Sequence, residues 1–160
     1  MHSTRNDLAR ATREQIATLL AARLADTLDL RLATKQAHWN VKGPSFIALH
    51  ELFDEIAGRL DAHADALAER ITSLGGVALG RAATVAARST LAPYRDDIFA
   101  GREHVEALAE RLATLAKATR AAIGASSQAG DEVTADLFNE ITGALDKDLW
   151  LLEAHLQAER

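Results

Sequence analysis

The stretch "HELFDEIAGRLDAHADALAER", residues 50–70, decides the fold, because its polar and apolar residues separate onto two sides of one helix. At about 100° per residue, its polar stripe spans roughly 60°. The stripe comprises His50, Asp54, Asp61 and Asp65, with Glu69 at its edge. The apolar side comprises Leu49, Phe53, Ile56, Leu60, Leu67, Ile71 and Leu74. The acids therefore border the side that faces the core, and carboxylates in that position need a positive partner.

The composition indicates a single all-α domain. The chain has 160 residues, of which 48% are hydrophobic and only 4% aromatic, and this is typical of a helical protein with one core. It contains no cysteine, which excludes disulfides and thiolate metal sites. Its 18 basic and 23 acidic residues give a net charge of −5, which argues against nucleic-acid binding by the whole surface.

The beginning of the chain and its hydropathy predict a cytoplasmic protein. "MHSTRNDLARATREQ" lacks the apolar core of a secretory signal. No uninterrupted apolar run approaches the roughly 20 residues of a membrane span. We therefore expect no membrane partner.

Sparse helix-breaking signals predict four long helices in a domain of residues 12–160, after a short tail of residues 1–11. The helices run from Thr12 to Asn40, from a cap at Ser45 to Gly75 and Gly76, from Ile98 to Ile123, and from Asp131 almost to the end. "GASSQAGD" is predicted as a loop, and "RAATVAARS" as a short helix within the long crossover of residues 77–97. Short, long and short connections indicate a ferritin-like four-helix bundle, with helices two and three as parallel neighbours.

The polar stripe is too long to hold one metal ion within a single chain. Eleven residues separate Asp54 from Asp65, which places them more than about 16 Å apart along the helix. The pair Asp54 and Asp65 and the pair His50 and Glu69 nevertheless share one midpoint, between residues 59 and 60. A twofold axis at that midpoint brings Asp65 and Glu69 of an antiparallel copy beside Asp54 and His50, twice over.

This arrangement predicts an isologous dimer with two identical metal sites at its interface. Gly58 allows the two helices to approach closely. Oxygen and imidazole ligands suit iron and can also take zinc or manganese, and the residues do not choose among them. The chain has no Glu-x-x-His motif for a di-iron centre within one subunit, and its only methionine is Met1, which excludes a methionine-ligated haem. The alternative is an ordinary solvated helix face with i,i+4 pairs.

Three motifs in order, H-W-N, H-x-x-x-D and D-x-x-x-E-R, closely resemble the signature of the Dps family of mini-ferritins. They lie in "TKQAHWNVKGPSFIALHELFDEIAGRLDAHADALAERITSLGG", and the likeness continues through "GVALG" and "TADLFNEITGALDKDLWLLEAHL". The resemblance implies a hollow homododecamer with a short crossover helix. It also implies oxidation of Fe(II) by hydrogen peroxide or dioxygen and storage of ferric oxide, without haem.

By that resemblance, five residues form each ferroxidase site and also serve as its metal ligands. They are His38, His50 and Asp54 of one subunit with Asp65 and Glu69 of the twofold mate. A satisfied core histidine is the alternative for His38. The family motif does not name Asp61, for which we expect a supporting or surface role. Trp39 is implied to lie near the site, and a core anchor at a helix end is its alternative role.

Iron also needs an entrance, and three acids cluster at the start of the last predicted helix. Asp131, Glu132 and Asp136 occupy a segment that lines a threefold pore in mini-ferritins. Acids at a helix N-terminus also cap the helix and oppose its dipole, and the two roles are compatible.

The N-terminal segment predicts weak DNA binding, although a nucleoid-associated, DNA-shielding protein is the alternative function. Family members that condense DNA often carry a lysine-rich tail. Residues 1–14 contain no lysine, and Arg5, Arg10 and Arg13 are offset by Asp7 and Glu14. Twelve such chains would carry a charge of about −60, which repels phosphates, and only avidity among twelve arms would favour binding.

Overall fold

The computed structural model describes residues 1–157, and its regular structure is helical. Its helices are α1 (Arg10–Asn40), α2 (Phe46–Ser73), α3 (Ala82–Arg88), α4 (Gly101–Gln128) and α5 (Glu132–Glu153). The four long helices enclose one apolar core, and α3 is the predicted short helix of the crossover. The predicted all-α, ferritin-like architecture is confirmed. None of the helices within residues 1–157 is long and apolar enough to cross a membrane.

The order of the helices around the bundle differs from the prediction. α1 packs against α2 on one side and α4 on the other, while α5 packs mainly against α4 and only narrowly against α2. The second and third long helices therefore lie diagonally, and the prediction that they are neighbours is wrong. The reason is the path of the crossover, because α3 packs on α1 and the chain passes over that helix before α4 begins.

The third long helix begins and ends later than predicted. Ile98 is buried in an irregular segment, and α4 begins at Gly101. At the other end the residues predicted as a loop are helical through Gln128, and the turn is reduced to Ala129 and Gly130. Gly124 disfavours a helix by about 1 kcal/mol relative to alanine. The helix continues past it to Gln128, and Ala129 just beyond its end packs against the core.

The two ends of α2 are fixed by backbone contacts. Ser45 makes no side-chain capping hydrogen bond, so its predicted capping role is wrong. Instead the Phe46 amide donates to the Gly43 carbonyl at 3.0 Å, and Gly43 has the positive φ of 116° that this turn requires. At the other end Gly75 has a φ of 86°, and a Cβ there would lie 2.7 Å from the His2 carbonyl oxygen. The sequence signal at Gly75 is therefore confirmed.

Candidate metal centre

His38 at the end of α1 and His50 near the start of α2 form a reciprocal pair. Their rings stack with centroids 3.7 Å apart and planes inclined by 20°. Nδ1 of His38 lies 2.7 Å from the His50 carbonyl oxygen, and Nδ1 of His50 lies 2.8 Å from the His38 carbonyl oxygen. Because a carbonyl only accepts, each Nδ1 carries the proton and donates it.

This hydrogen bonding fixes which nitrogen of each ring can bind a metal. With Nδ1 protonated, the neutral imidazole presents its lone pair at Nε2. A backbone carbonyl that orients the opposite side of the ring is a common arrangement around metal-binding histidines. The fold therefore sets the tautomer of both rings and leaves Nε2 of His38 and of His50 as the nitrogen that can take a ligand.

Asp54 lies one helical turn after His50 and is held by a lysine that the sequence analysis did not single out. The Lys35 ammonium group on α1 donates to an Asp54 carboxylate oxygen. This hydrogen bond, together with the charge of Lys35, holds the pKa of Asp54 below its ordinary value. The positive charge of Lys35 therefore lies against one carboxylate oxygen of Asp54. The second carboxylate oxygen of Asp54 accepts no hydrogen bond from Lys35.

The structure of one chain does not bring the five predicted ligands together. Within residues 1–157, no three His, Asp or Glu side chains lie close enough to hold a metal ion. Asp65 and Glu69 are exposed farther along α2. The predicted ligands thus form two halves, one with His38, His50 and Asp54 and one with Asp65 and Glu69. Asp61 lies between them and pairs with Arg31 at 2.7 Å, which is the surface role expected for it.

The face of α2 between the two halves is open. One shallow groove on this face contains Asp54, and a second contains Asp65. Gly58 and Asp61 belong to both grooves, so the surface is continuous from one half-site to the other. A Cβ on Gly58 would meet no atom within 4 Å. The two halves therefore lie along one uncovered strip of the same helix.

Trp39 lies on the surface rather than in the core. Its side chain is 68% exposed, which contradicts the alternative role of a core anchor at the end of α1. The Lys35 ammonium lies 6.0 Å from the centroid of its ring. The indole thus shares a neighbour with Asp54 and follows His38 directly in the chain.

The three acids at the start of α5 have different environments. Asp131 is 2% exposed, and its side chain accepts from the Thr134 amide at 3.0 Å, which confirms the capping role. Its carboxylate also binds one nitrogen of Arg70, with both oxygens within 2.9 Å. Glu132 is exposed and accepts from Ser127, and Asp136 is exposed. The pore role remains a prediction, and the buried pairing of Asp131 makes that residue the least suited to it.

We expect Asp131→Asn to destabilise the protein in a pH-dependent way. Burial tends to raise the pKa of Asp131, but hydrogen bonds from Thr134 and Arg70 outweigh it and lower the pKa. A lowered pKa adds stability above the pKa of the unfolded chain, about 4, and this is lost as the pH falls through the folded value. Breaking the buried pair should cost about 3 kcal/mol at neutral pH.

The test is thermal unfolding of both proteins at one concentration, at neutral pH and again in acid. The difference between Asp131→Asn and wild type should shrink in acid, where the wild-type carboxyl is itself protonated. Asp136→Asn removes an exposed acid from the same helix and should change stability little at either pH. A difference that stays constant across the pH range would contradict the assigned role of the ion pair.

Residues 17–160 match the family model of the ferritin-like domain. The DNA protection during starvation protein of Agrobacterium fabrum is 47% identical over 156 residues, which are 98% of this chain and 96% of that protein. The chain belongs to the Dps family. A Dps structure from Mycobacterium smegmatis superposes with a TM-score of 0.94 at 31% identity, over 99% of this chain and 96% of that one. A Dps structure from Vibrio cholerae, described as a member of a broad superfamily of ferritin-like diiron-carboxylate proteins, superposes at 0.91 with 26% identity, over 98% of each chain.

The Dps signature was recognisable in the sequence, but two contacts of the site were not. Lys35 precedes His38 by one helical turn, and this spacing on α1 is a signal that could have placed it near the histidines. The reciprocal bonds between His38 and His50 join two helices through backbone carbonyls. No side-chain pattern encodes such a contact.

Proposed function

We propose that this Dps-family protein is a ferroxidase that oxidises Fe(II) with hydrogen peroxide, or with dioxygen, and stores the ferric product. The observation that carries the proposal is the paired geometry of His38 and His50, which presents Nε2 of both rings with Asp54 one turn away. The diiron-carboxylate description of the Vibrio cholerae relative supports iron as the metal.

The proposed site is completed by a second copy of the chain. His38, His50 and Asp54 of one subunit meet Asp65 and Glu69 of the partner subunit across a twofold axis. The open strip of α2 that joins the two halves supports this, because an isologous contact along it uses the same surface twice. Six such dimers would form the hollow homododecamer in which ferric oxide collects. Glu132 and Asp136 are proposed to line its iron entrance.

The chemistry follows from the charges of the ligands. Two Fe(II) ions each give one electron to hydrogen peroxide, its O–O bond breaks, and each oxygen leaves as water after taking up a proton. The carboxylates compensate the charge gained as Fe(II) becomes Fe(III), and few protein ligands leave room for the oxidant. Delivery of two electrons together releases no hydroxyl radical. Iron is the substrate of this reaction, and the chain's residues bind and orient it.

The direct test is to load the assembled protein with Fe(II) without oxygen, add hydrogen peroxide and follow the ferric absorbance. The matched variant carries Asp65→Asn and Glu69→Gln, which remove two negative charges and keep the side-chain shapes. Loss of residues that merely support a metal ligand costs 10- to 100-fold, so we expect a fall of about 100-fold. Equal rates in two equally assembled proteins would disprove the proposed site.

DNA shielding is the second function suggested by the names of the relatives, and we propose that it is weak here. The His2 amide donates to the Gly75 carbonyl at 2.6 Å, and Arg13 donates to the carbonyls of Leu8 and Leu74. The N-terminal segment is thus bound to its own subunit. We expect no gel shift of duplex DNA at physiological ionic strength, and a clear salt-sensitive shift would contradict this.

A further inference from the structure

Few side chains of this protein can give up a single electron. The sequence holds no cysteine, one methionine, two tryptophans and one tyrosine. Trp39 and Trp150 are 68% and 60% exposed, so most of each ring faces solvent. Tyr94 is different, because it is half-buried and packs against the core from the crossover.

Tyr94 is joined to a buried histidine by a short hydrogen bond. Its hydroxyl lies 2.6 Å from Nδ1 of His104, a residue of α4 that is 1% exposed. The two rings are nearly parallel, with planes inclined by 15° and centroids 6.2 Å apart. The guanidinium carbon of Arg111 lies 5.4 Å from the centroid of the tyrosine ring.

The pair can pass a proton only if the phenol donates and Nδ1 accepts. We assign this arrangement, in which Nε2 carries the hydrogen of the neutral ring, and the 2.6 Å between the hydroxyl oxygen and Nδ1 lies within the range of an O–H donor. Burial lowers the pKa of His104, and Glu103 opposes this only in part, so its ring is neutral at physiological pH. Burial also raises the pKa of Tyr94, so the phenol keeps its proton. In the assigned tautomer, a neutral phenol faces the Nδ1 lone pair of a neutral imidazole.

We propose that Tyr94 and His104 form a redox-active pair that gives one electron to a hydroxyl radical formed when a lone Fe(II) meets hydrogen peroxide. This inference rests on the proposed ferroxidase function and adds an activity to it. Two paired Fe(II) ions supply both electrons that reduce hydrogen peroxide to water, whereas a site that holds one Fe(II) supplies only one of them. The tyrosine supplies the second electron.

The electron and proton balance is complete. One Fe(II) gives an electron to hydrogen peroxide, the O–O bond breaks, and Fe(III), hydroxide and a hydroxyl radical result. Tyr94 gives an electron to the hydroxyl radical, which becomes a second hydroxide. At the same time its phenolic proton moves to Nδ1 of His104. The products on the protein are a neutral phenoxyl radical and an imidazolium, so the tyrosine never carries a positive charge.

One packed side chain and the backbone of α2 connect this pair to the predicted ligands. The His104 ring meets Phe53 edge-on, with centroids 6.3 Å apart. Phe53 is fully buried on α2, directly before Asp54 and three residues after His50, which is about 4.5 Å along the helix. The route from the ligands to the phenol therefore runs through the core.

The first experiment adds fewer Fe(II) ions than there are sites to the assembled protein without oxygen, then hydrogen peroxide, and freezes the sample for electron paramagnetic resonance. We expect a tyrosyl radical in the wild type and its complete loss in Tyr94→Phe, which keeps the ring. Trp150→Phe is the matched control and should keep the signal. With both irons present, Tyr94→Phe should oxidise iron at the wild-type rate.

The outcomes separate this inference from the proposed function. Absence of ferric product would refute the ferroxidase, whereas ferric product without a tyrosyl radical would refute the pair alone. An unchanged radical in Tyr94→Phe would place it on a tryptophan and also refute the pair.

A second experiment needs no iron. A photo-oxidant acts on a Trp39→Phe, Trp150→Phe background, in which Tyr94 is the one remaining tyrosine or tryptophan. Formation of its radical should be several-fold slower in His104→Gln, which lacks the ring nitrogen that takes the proton, and slower in heavy water than in light water. Equal rates with and without His104 would show that the two residues do not act together.

Discussion

Two inactive variants should restore each other's activity when they assemble together. One subunit carries His50→Gln, and the other carries Asp65→Asn and Glu69→Gln. Each alone has only broken sites. In a mixed dimer, one site combines the intact His50 of one subunit with the intact Asp65 and Glu69 of its partner. Because an isologous dimer holds two sites, random mixing of equal amounts should recover about a quarter of the wild-type ferroxidase rate.

The control for this experiment uses two variants that damage the same half of the site. Asp65→Asn on one subunit and Glu69→Gln on the other leave one of these two carboxylates missing from both sites of a mixed dimer, so no recovery is expected. The measurement is the initial rate of ferric absorbance after peroxide addition, with mixing verified by two affinity tags. A first pair that recovers no more than this control would show that the site lies within one subunit.

The periodicity of apolar residues predicted which helices form better than it predicted the residues at which they begin and end. The separation of polar and apolar residues along residues 50–70 is strong enough to define α2, whose core positions such as Phe53 and Leu60 are fully buried. The stretch "GASSQAGD" was predicted as a loop, yet α4 continues through its first residues to Gln128. Ala129, just after the helix, packs against the core, and such a contact depends on how α4 packs against α5.

The order of helices around the bundle depends on a path that no local pattern records. The lengths of the connections correctly predicted a ferritin-like bundle with one long crossover. They did not show that the crossover passes over α1, which places α2 and α4 on a diagonal of the bundle. Such a choice is made by the packing of α3 against α1.

The residues of the candidate site could be predicted from the sequence, but most of the contacts among them could not. The common midpoint of His50 with Glu69 and of Asp54 with Asp65 follows from numbering and helix geometry alone. The contact of Lys35 with Asp54 joins two helices, so it required the fold. Trp39 shows a further limit, because its place at the end of α1 does not by itself tell whether the indole is buried or exposed.

Gly58→Leu should break the assembly while leaving the subunit folded. Gly58 lies beside the proposed twofold axis and is exposed. Apart from its neighbours and the backbone of its own helix, nothing lies within 4 Å of the place where a Cβ would stand. In the isolated subunit, leucine therefore meets no obstacle and favours the helix by up to about 1 kcal/mol over glycine. In the dimer the same side chain would push the two copies of α2 apart, separating Asp54 from Asp65 of the partner subunit.

Light scattering after size exclusion should therefore show Gly58→Leu as a species much smaller than the wild type. Its helical circular dichroism should be unchanged. Its ferroxidase rate should be close to that of the double variant Asp65→Asn, Glu69→Gln. Gly124→Leu makes the matched control, because Gly124 is also an exposed helical glycine with open space at its Cβ, but it lies on α4. It should gain the same helix propensity and keep both assembly and rate. A Gly58→Leu protein that assembles and oxidises iron like the wild type would mean that α2 does not pack against its own copy at residue 58, and the shared midpoint of the ligand pairs would then have no structural basis.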